Sequence, residues 1–241
     1  DELAEHLARA DIVIALNYSD MPPAPNMRLL QIPGAGLDQI KFPEVPSRAA
    51  ICNAYGHDVA GGEYVVLSML AWCHEFVAAH ESMKAGSWRM SGRTGAPLHE
   101  ELRGKTVGIL GLGPIGLAAA KLAKAFGTTV LGCNRTVRER PAFIDEVYAL
   151  ENLNAFLQRC DFIAVCIALA PQTVGLIDRA ALEKMKSTAV VINIARGAII
   201  DEDALFAALQ NKQIAGAAID AWYHYPTPED LNVAPSKHPF A

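Results

Sequence analysis

The segment Gly111-Leu112-Gly113-Pro114-Ile115-Gly116 constrains the fold more than any other stretch of the chain. Three glycines at this spacing carry little weight alone, because glycine-rich turns are common. Here they follow an apolar run, Thr106–Leu110, and open a helix-forming run, Ile115–Phe126. A chain that leaves a buried strand and enters a helix within a few residues needs a residue without a Cβ at the tight turn, which is Gly111. It needs another where helix and strand press together, which is Gly116. Gly113, between them, leaves the backbone open to close approach. Strand, turn and helix in this order predict the first unit of a parallel α/β sheet.

The pattern then repeats. Strand-like apolar runs lie at Thr129–Cys133, Phe162–Ile167, Ala189–Ile194 and Ile214–Ile219, with helical runs between them, including Glu202–Gln210. Strands that are apolar almost throughout, alternating with helices, belong to a parallel sheet covered on both faces. The predicted class is therefore α/β, with a doubly wound parallel-sheet Rossmann domain over residues 89–241. Residues 1–88 read as a partial, smaller α/β substrate (catalytic) domain. They hold an opening amphipathic helix with Leu3, Leu7 and Ala10 on one face, and strands at Asp11–Leu16, Arg28–Pro33 and Ala49–Cys52. They end in a long apolar helix over about 63–83 that serves as the interdomain helix. The polar, Gly- and Ser-bearing stretch Lys84–Gly104 reads as a linker. The chain begins inside a helix and stops after a Pro-containing loop, so it reads as a piece of a longer protein.

Composition narrows the partners. A net charge of −5 argues against nucleic acid, and no apolar run is long enough to span a bilayer. The five cysteines, Cys52, Cys73, Cys133, Cys160 and Cys166, are odd in number and show no CxxC pair. They read as reduced thiols in a cytoplasmic protein. No residue pattern resembles a metal site.

The glycine turn places the N-terminus of its helix, with free N–H groups and a positive dipole end, where the pyrophosphate of a dinucleotide would lie. Gly111, Gly113, Pro114, Ile115 and Gly116 are the candidate contacts. At the end of the next strand a carboxylate commonly takes the adenosine ribose 2′-hydroxyl. That position is Asn134, followed by Arg135, Thr136 and Arg138. A carboxylate would repel a 2′-phosphate, whereas a guanidinium fork and a hydroxyl would hold one. NADP is favoured over NAD, and a solvated loop tolerant of either remains open.

Several segments together resemble the D-isomer-specific 2-hydroxyacid dehydrogenase family. They are Gly34-Ala35-Gly36-Leu37-Asp38, Glu63-Tyr64, the stretch from Gly104 through Gly116, the stretch from Asn193 through Leu205 that contains Ala195-Arg196-Gly197, and the stretch from Ile214 through Asp220. The resemblance implies hydride transfer between a nicotinamide and a 2-oxo or 2-hydroxy acid, in a homodimer. It implies that Arg196 is catalytic and binds the substrate carboxylate, with Ala35 and Gly36 offering backbone N–H groups. It also implies that Cys166, Ala168, Thr173, Ile194, Ala195, Arg196 and Asp220 line the cofactor.

Two departures stand out. Cys166 and Ala168 replace a usual His and Pro. Tyr225 stands where the family has the glutamate that partners its proton-transferring histidine, with Glu229 or Asp230 as substitutes by proximity alone. That histidine is expected beyond Ala241. His224 and His238 read as loop or surface residues, and His57 as a residue able to face the cleft. A dinucleotide-sensing, corepressor-like binding protein and a formate- or phosphite-type dehydrogenase stay open as alternatives on the same fold.

Overall fold

The computed structural model describes residues 2–96, 98–136, 139–227 and 230–240. The chain forms two compact units, Asp1–Gly56 and His57–Ala241.

The first unit holds helix α1 (Glu2–Arg9) and a three-stranded parallel sheet, β1 (Ile12–Ile14), β2 (Leu29–Gln31) and β3 (Ala50–Cys52), paired in that order. Leu7 is the buried residue of α1, and it joins Val13, Tyr18, Met27, Leu30 and Ile32 in a small core. The strands are shorter than the apolar runs suggested, and Ile12, Ile14 and Leu16 are exposed.

The second unit opens with α2 (Asp58–Cys73) and α3 (Phe76–Lys84). The sequence pattern predicts one helix over about 63–83. The structure breaks it at Glu75, whose φ of 47° is left-handed. No Gly or Pro marks the break, so propensity could not show it. The second unit starts at His57, and its first helix packs closely within it. α2 crosses α4 (Pro114–Ala125) so closely that a Cβ on Gly62 would lie 2.9 Å from the Ala119 backbone nitrogen. The long apolar helix is thus part of the body that carries the glycine turn.

That body is built on six parallel strands: β4 (Thr106–Leu110), β5 (Thr129–Asn134), β6 (Glu146–Ala149), β7 (Phe162–Val165), β8 (Val190–Asn193) and β9 (Gly216–Ile219). Their spatial order is β6-β5-β4-β7-β8-β9. Counted within the sheet, this is the doubly wound 3-2-1-4-5-6 arrangement, which reverses direction between β4 and β7. Two cores cover its faces. One is built around Leu131, Phe156, Ile163, Val191 and Leu205, the other around Val65, Met69, Ile109, Ala119 and Ile192. Short helices α5 (Leu153–Leu157) and α6 (Arg179–Leu182) and the longer α7 (Glu202–Gln210) complete the layers. α6 and α7 begin at Asp178 and Asp201, whose side chains accept from Ala181 and Ala204 N–H. Edge strand β6 is not legible in the sequence, since Glu146-Val147-Tyr148-Ala149 is too short and mixed to stand out.

Candidate dinucleotide and substrate site

Register fixes the site. One row of paired residues, Cys133–Leu110–Val165–Asn193–Ile219, runs across the carboxyl end of five strands. The next residue on each strand, namely Asn134, Gly111, Cys166, Ile194 and Asp220, therefore stands on one rim. Four of these five begin or end a segment that the sequence singled out. In open α/β sheets, ligands bind outside the carboxyl ends of the strands, where the order reverses.

Gly111 turns with φ 101° and donates its N–H to the Cys133 carbonyl at 2.8 Å. A Cβ there would lie 2.5 Å from the Ile167 nitrogen, so the turn lies against the loop that leaves β7. A Cβ on Gly116 would lie 2.0 Å from the Gly111 carbonyl oxygen, which is the close helix–strand approach expected of the third glycine. Gly113 differs from both: among the described residues, no atom beyond its chain neighbours lies within 4 Å of its Cβ position. It is the N-cap of α4, followed by Pro114 at the first helical position, and no side chain caps the helix. A helix of 12 residues thus presents its positive end beside open space, which fits a phosphate group.

Asn134 does not simply project toward a ribose. Its Oδ1 accepts from the Leu112 N–H at 3.4 Å, and its Nδ2 donates to the Thr136 carbonyl at 2.9 Å. It ties the glycine turn to the end of β5. Arg135 and Thr136 are exposed, while Arg138 lies outside the described residues.

The loop after β7 holds itself. The Thr173 side chain is buried, accepting from Ala170 N–H at 2.8 Å and donating to the Ala168 carbonyl at 2.8 Å. Burial pushes the Cys166 thiol up to about 12, so it stays protonated and packs as an apolar group.

Asn193, the last residue of β8, is 2% exposed. Its Oδ1 accepts from Ala195 N–H at 3.1 Å and its Nδ2 donates to the Arg196 carbonyl at 3.0 Å. Arg196 is extended, with its Nη1 donating to the Ala195 carbonyl at 2.7 Å. Asp220 is exposed on the neighbouring strand end, with its N–H on the Asn193 carbonyl at 2.9 Å. Burial, and then the negative charge of Asp220, push the Tyr64 phenol of α2 up. In the sequence Asn193 opens a motif but carries no role of its own. An amide at an apolar strand end, two residues before Ala195, is the signal that marks it.

In the first unit, Ala35 and Gly36 are half-buried in the turn after β2, and the Asn53 Nδ2 donates to the Ala35 carbonyl at 2.9 Å. Among the histidines, His57 precedes α2 and His224 is exposed, as is Tyr225. His238 is less free than the sequence suggested. Its Nε2 sits 2.6 Å from Asp203 Oδ1 and its ring stacks on Phe206. Glu229 lies outside the described residues and Asp230 is exposed. Among the described residues, no cluster of His, Cys, Asp or Glu is able to hold a metal ion, and no helix is long and apolar enough to cross a membrane.

A doubly wound sheet with a glycine turn and an uncapped helix start at its switch point defines a dinucleotide-binding α/β protein. Residues 66–239 match the family described as D-isomer specific 2-hydroxyacid dehydrogenase, NAD binding domain, and the chain belongs to that family. Among curated relatives, the D-3-phosphoglycerate dehydrogenase of Methanocaldococcus jannaschii is 31% identical over 95% of this chain and 44% of its own length. The glyoxylate reductase of Thermofilum pendens is 31% identical over 95% of this chain and 69% of its own. The chain spans less than half the length of the D-3-phosphoglycerate dehydrogenases it matches.

Two solved structures show the same fold. The NAD-dependent formate dehydrogenase of Staphylococcus aureus, in complex with NAD, is 27% identical with a TM-score of 0.78, covering 96% of this chain and 71% of that one. A D-isomer specific 2-hydroxyacid dehydrogenase of Xanthobacter autotrophicus, in complex with NADPH and MES, is 26% identical with a TM-score of 0.77, covering 92% and 70%.

Proposed function

We propose that this chain carries the cofactor site and part of the substrate site of an NAD(P)-dependent 2-hydroxyacid dehydrogenase or 2-oxoacid reductase. The carrying observation is the shared rim. It places the glycine turn, the Arg196 turn and Asp220 at the ends of β4, β8 and β9 in one row of strand ends. A nicotinamide bound on this rim supplies or takes up a hydride. The N-terminus of α4 holds the pyrophosphate, with Gly111, Gly113, Pro114, Ile115 and Gly116 around it. Cys166, Ala168, Thr173, Ile194 and Ala195 line the remainder, and Asp220 accepts from the carboxamide. The Arg196 guanidinium pairs with the substrate carboxylate and polarises the neighbouring carbonyl.

NADP is the preferred cofactor in this reading. Asn134, Arg135 and Thr136 offer an amide, a guanidinium and a hydroxyl where a carboxylate would exclude a 2′-phosphate. Relatives of this fold hold either NADPH or NAD. The protein works as a homodimer, for which the exposed Leu67, Phe76, Val77 and Met83 of α2 and α3 supply apolar surface. Its five free thiols, three of them (Cys133, Cys160 and Cys166) pushed up to about 12 by burial, suit the reducing cytoplasm.

A second reading, formate oxidation, is favoured by the likeness to the S. aureus formate dehydrogenase. The test is a panel of glyoxylate, longer 2-oxo acids and formate with each cofactor, followed by nicotinamide absorbance in the full-length protein. Turnover of a 2-oxo acid with NADPH is expected. Tight dinucleotide binding without turnover of any panel member would instead mark a dinucleotide sensor.

A further inference from the structure

The geometry points to Glu202 as a positioning residue that locks the Arg196 turn to the segment following Asp220; its functional meaning rests on the reading of Arg196 as the substrate anchor. Glu202 is the first residue of α7, and its side chain is 12% exposed. Its Oε1 accepts from Ser236 Oγ at 2.6 Å and from Lys237 N–H at 2.8 Å, reaching residues 34 and 35 positions away. Ser236 is itself buried, and its Oγ accepts from His238 N–H at 2.9 Å. The strap around Ser236 is thereby fixed to the start of α7. Lys237 and His238 add contacts to Asp203 at 2.9 and 2.6 Å, and Phe240 closes edge-on over Phe206 and Trp222.

The strap in turn holds the loop beyond β9. The Pro235 carbonyl accepts from the Tyr223 and His224 N–H groups at 3.2 and 3.0 Å. That loop lies on the residue after Arg196: a Cβ on Gly197 would come within 2.5 Å of the Trp222 carbonyl oxygen and 2.9 Å of the Tyr223 nitrogen. From Gly197 the chain makes one turn of 3-10 helix, Gly197–Ile199, and reaches Glu202 three residues later. A closed loop of contacts results. It runs from Arg196 through the 3-10 turn to Glu202, across to Ser236, back through Pro235 to Tyr223, and onto Gly197 again. Glu202 supplies the side-chain link across to Ser236 and Lys237, and both bonds depend on a single oxygen of its carboxylate. The segments it joins begin directly after Arg196 and Asp220, so its removal loosens both strand-end turns at once. Rigid support of this kind keeps an anchoring guanidinium within the narrow range of positions that a bound substrate tolerates.

The test uses the full-length protein and three substitutions. Glu202→Ala removes both hydrogen bonds. Glu202→Gln keeps a carbonyl oxygen able to accept both while losing the charge at the helix start, so the pair separates the clamp from a helix-dipole effect. Amide exchange at residues 196–200 and 222–224 is expected to speed up about tenfold in the Ala variant and to return to within about threefold in the Gln variant. KM for the 2-oxo acid should rise about tenfold in the Ala variant while the dinucleotide Kd stays within about twofold. Ser236→Ala, which removes one of the two bonds, should move the same quantities in the same direction by less. Unchanged exchange in Glu202→Ala overturns the clamp, and so does a Kd that worsens in step with KM, which marks general loosening. If the unsubstituted protein reduces no 2-oxo acid, the substrate reading fails, and the exchange contrast alone still decides whether Glu202 locks the turn.

Discussion

The Asn193 side chain grips the Arg196 turn by its backbone, donating from Nδ2 to the Arg196 carbonyl at 3.0 Å while its Oδ1 accepts from Ala195 N–H at 3.1 Å. Both bonds are local, and the amide is buried, so no water replaces either partner when it is removed. Asn193→Ala is expected to lower stability by about 1–3 kcal/mol, read as a shift in urea midpoint at constant slope. Asn193→Asp should be worse than Ala, since it buries a charge and places an acceptor against the Arg196 carbonyl. An Asp variant as stable as the parent would show that the amide does not hold the turn.

The same methyl group should cost stability at one glycine of the turn and spare it at another. On Gly116 a Cβ meets the Gly111 carbonyl oxygen at 2.0 Å, which only a backbone shift relieves. Gly116→Ala should cost about 1–3 kcal/mol of stability and weaken dinucleotide binding with it. On Gly113 the Cβ meets nothing within 4 Å, and φ is −78°. Gly113→Ala should fold within about 1 kcal/mol of the parent yet bind dinucleotide at least roughly tenfold more weakly, because the methyl stands where a phosphate would approach. Thermal melts and cofactor fluorescence separate the two effects. Unaltered affinity in Gly113→Ala would remove the phosphate from this turn.

What the sequence made legible follows from how local each cause is. The six residues Gly111–Gly116 announce their own geometry, because a tight turn and a helix start are set by neighbours in the chain. The apolar strands β4, β5, β7, β8 and β9 show as runs because both sheet faces are covered. Edge strand β6 has a strand neighbour on one side only, and its residues are exposed or half-buried. The break at Glu75 depends on packing and carries no Gly or Pro. The Glu202–Ser236 bond joins residues 34 apart with no shared motif. The role of Asn134 also depended on three dimensions, since its partner, Leu112, lies 22 residues earlier.

Cofactor choice should follow the Asn134–Arg135 pair. In Asn134→Asp a side-chain oxygen remains to accept from Leu112 N–H, so the glycine turn keeps its tie while a carboxylate enters the ribose end. Combined with Arg135→Ala, it should shift preference from NADP toward NAD by roughly 1–3 kcal/mol, the worth of one or two charge-assisted hydrogen bonds. Titration of both cofactors by fluorescence measures this. Equal affinity of the parent for the two would contradict the preference.

Acid should weaken the fold through carboxylates held below their ordinary range. The hydrogen bond from the Lys124 ammonium and that from the Val130 N–H hold the Asp145 carboxyl down. A group whose folded value lies below its unfolded value of about 3.9 stabilises the fold above that pH and loses the contribution as pH falls through the folded value. Asp145→Asn should lower the melting temperature near neutrality and flatten its decline below about pH 4. Parallel melting curves for parent and variant across that range would assign the acid sensitivity elsewhere.

Arg196→Lys is the substitution that bears most directly on the chemistry. The side chain leaves an extended residue at the end of β8, next to a turn fixed by Asn193 from one side and by the Trp222–Tyr223 backbone from the other. A lysine in the same place keeps the charge but replaces a planar fork by a single ammonium. The replacement cannot meet a carboxylate in two parallel hydrogen bonds while also facing the adjacent carbonyl. The loss falls on the state in which negative charge builds on the substrate oxygen, so kcat/KM should drop by roughly 10²–10³-fold. In the proposed site the dinucleotide Kd should change little, because α4 would hold the pyrophosphate and Asn134–Thr136 the adenosine end. Steady-state kinetics with the best 2-oxo acid, alongside fluorescence titration of NADPH, measures both quantities in one preparation. A lysine variant that keeps kcat/KM within about threefold of the parent would move substrate anchoring to another residue on the rim.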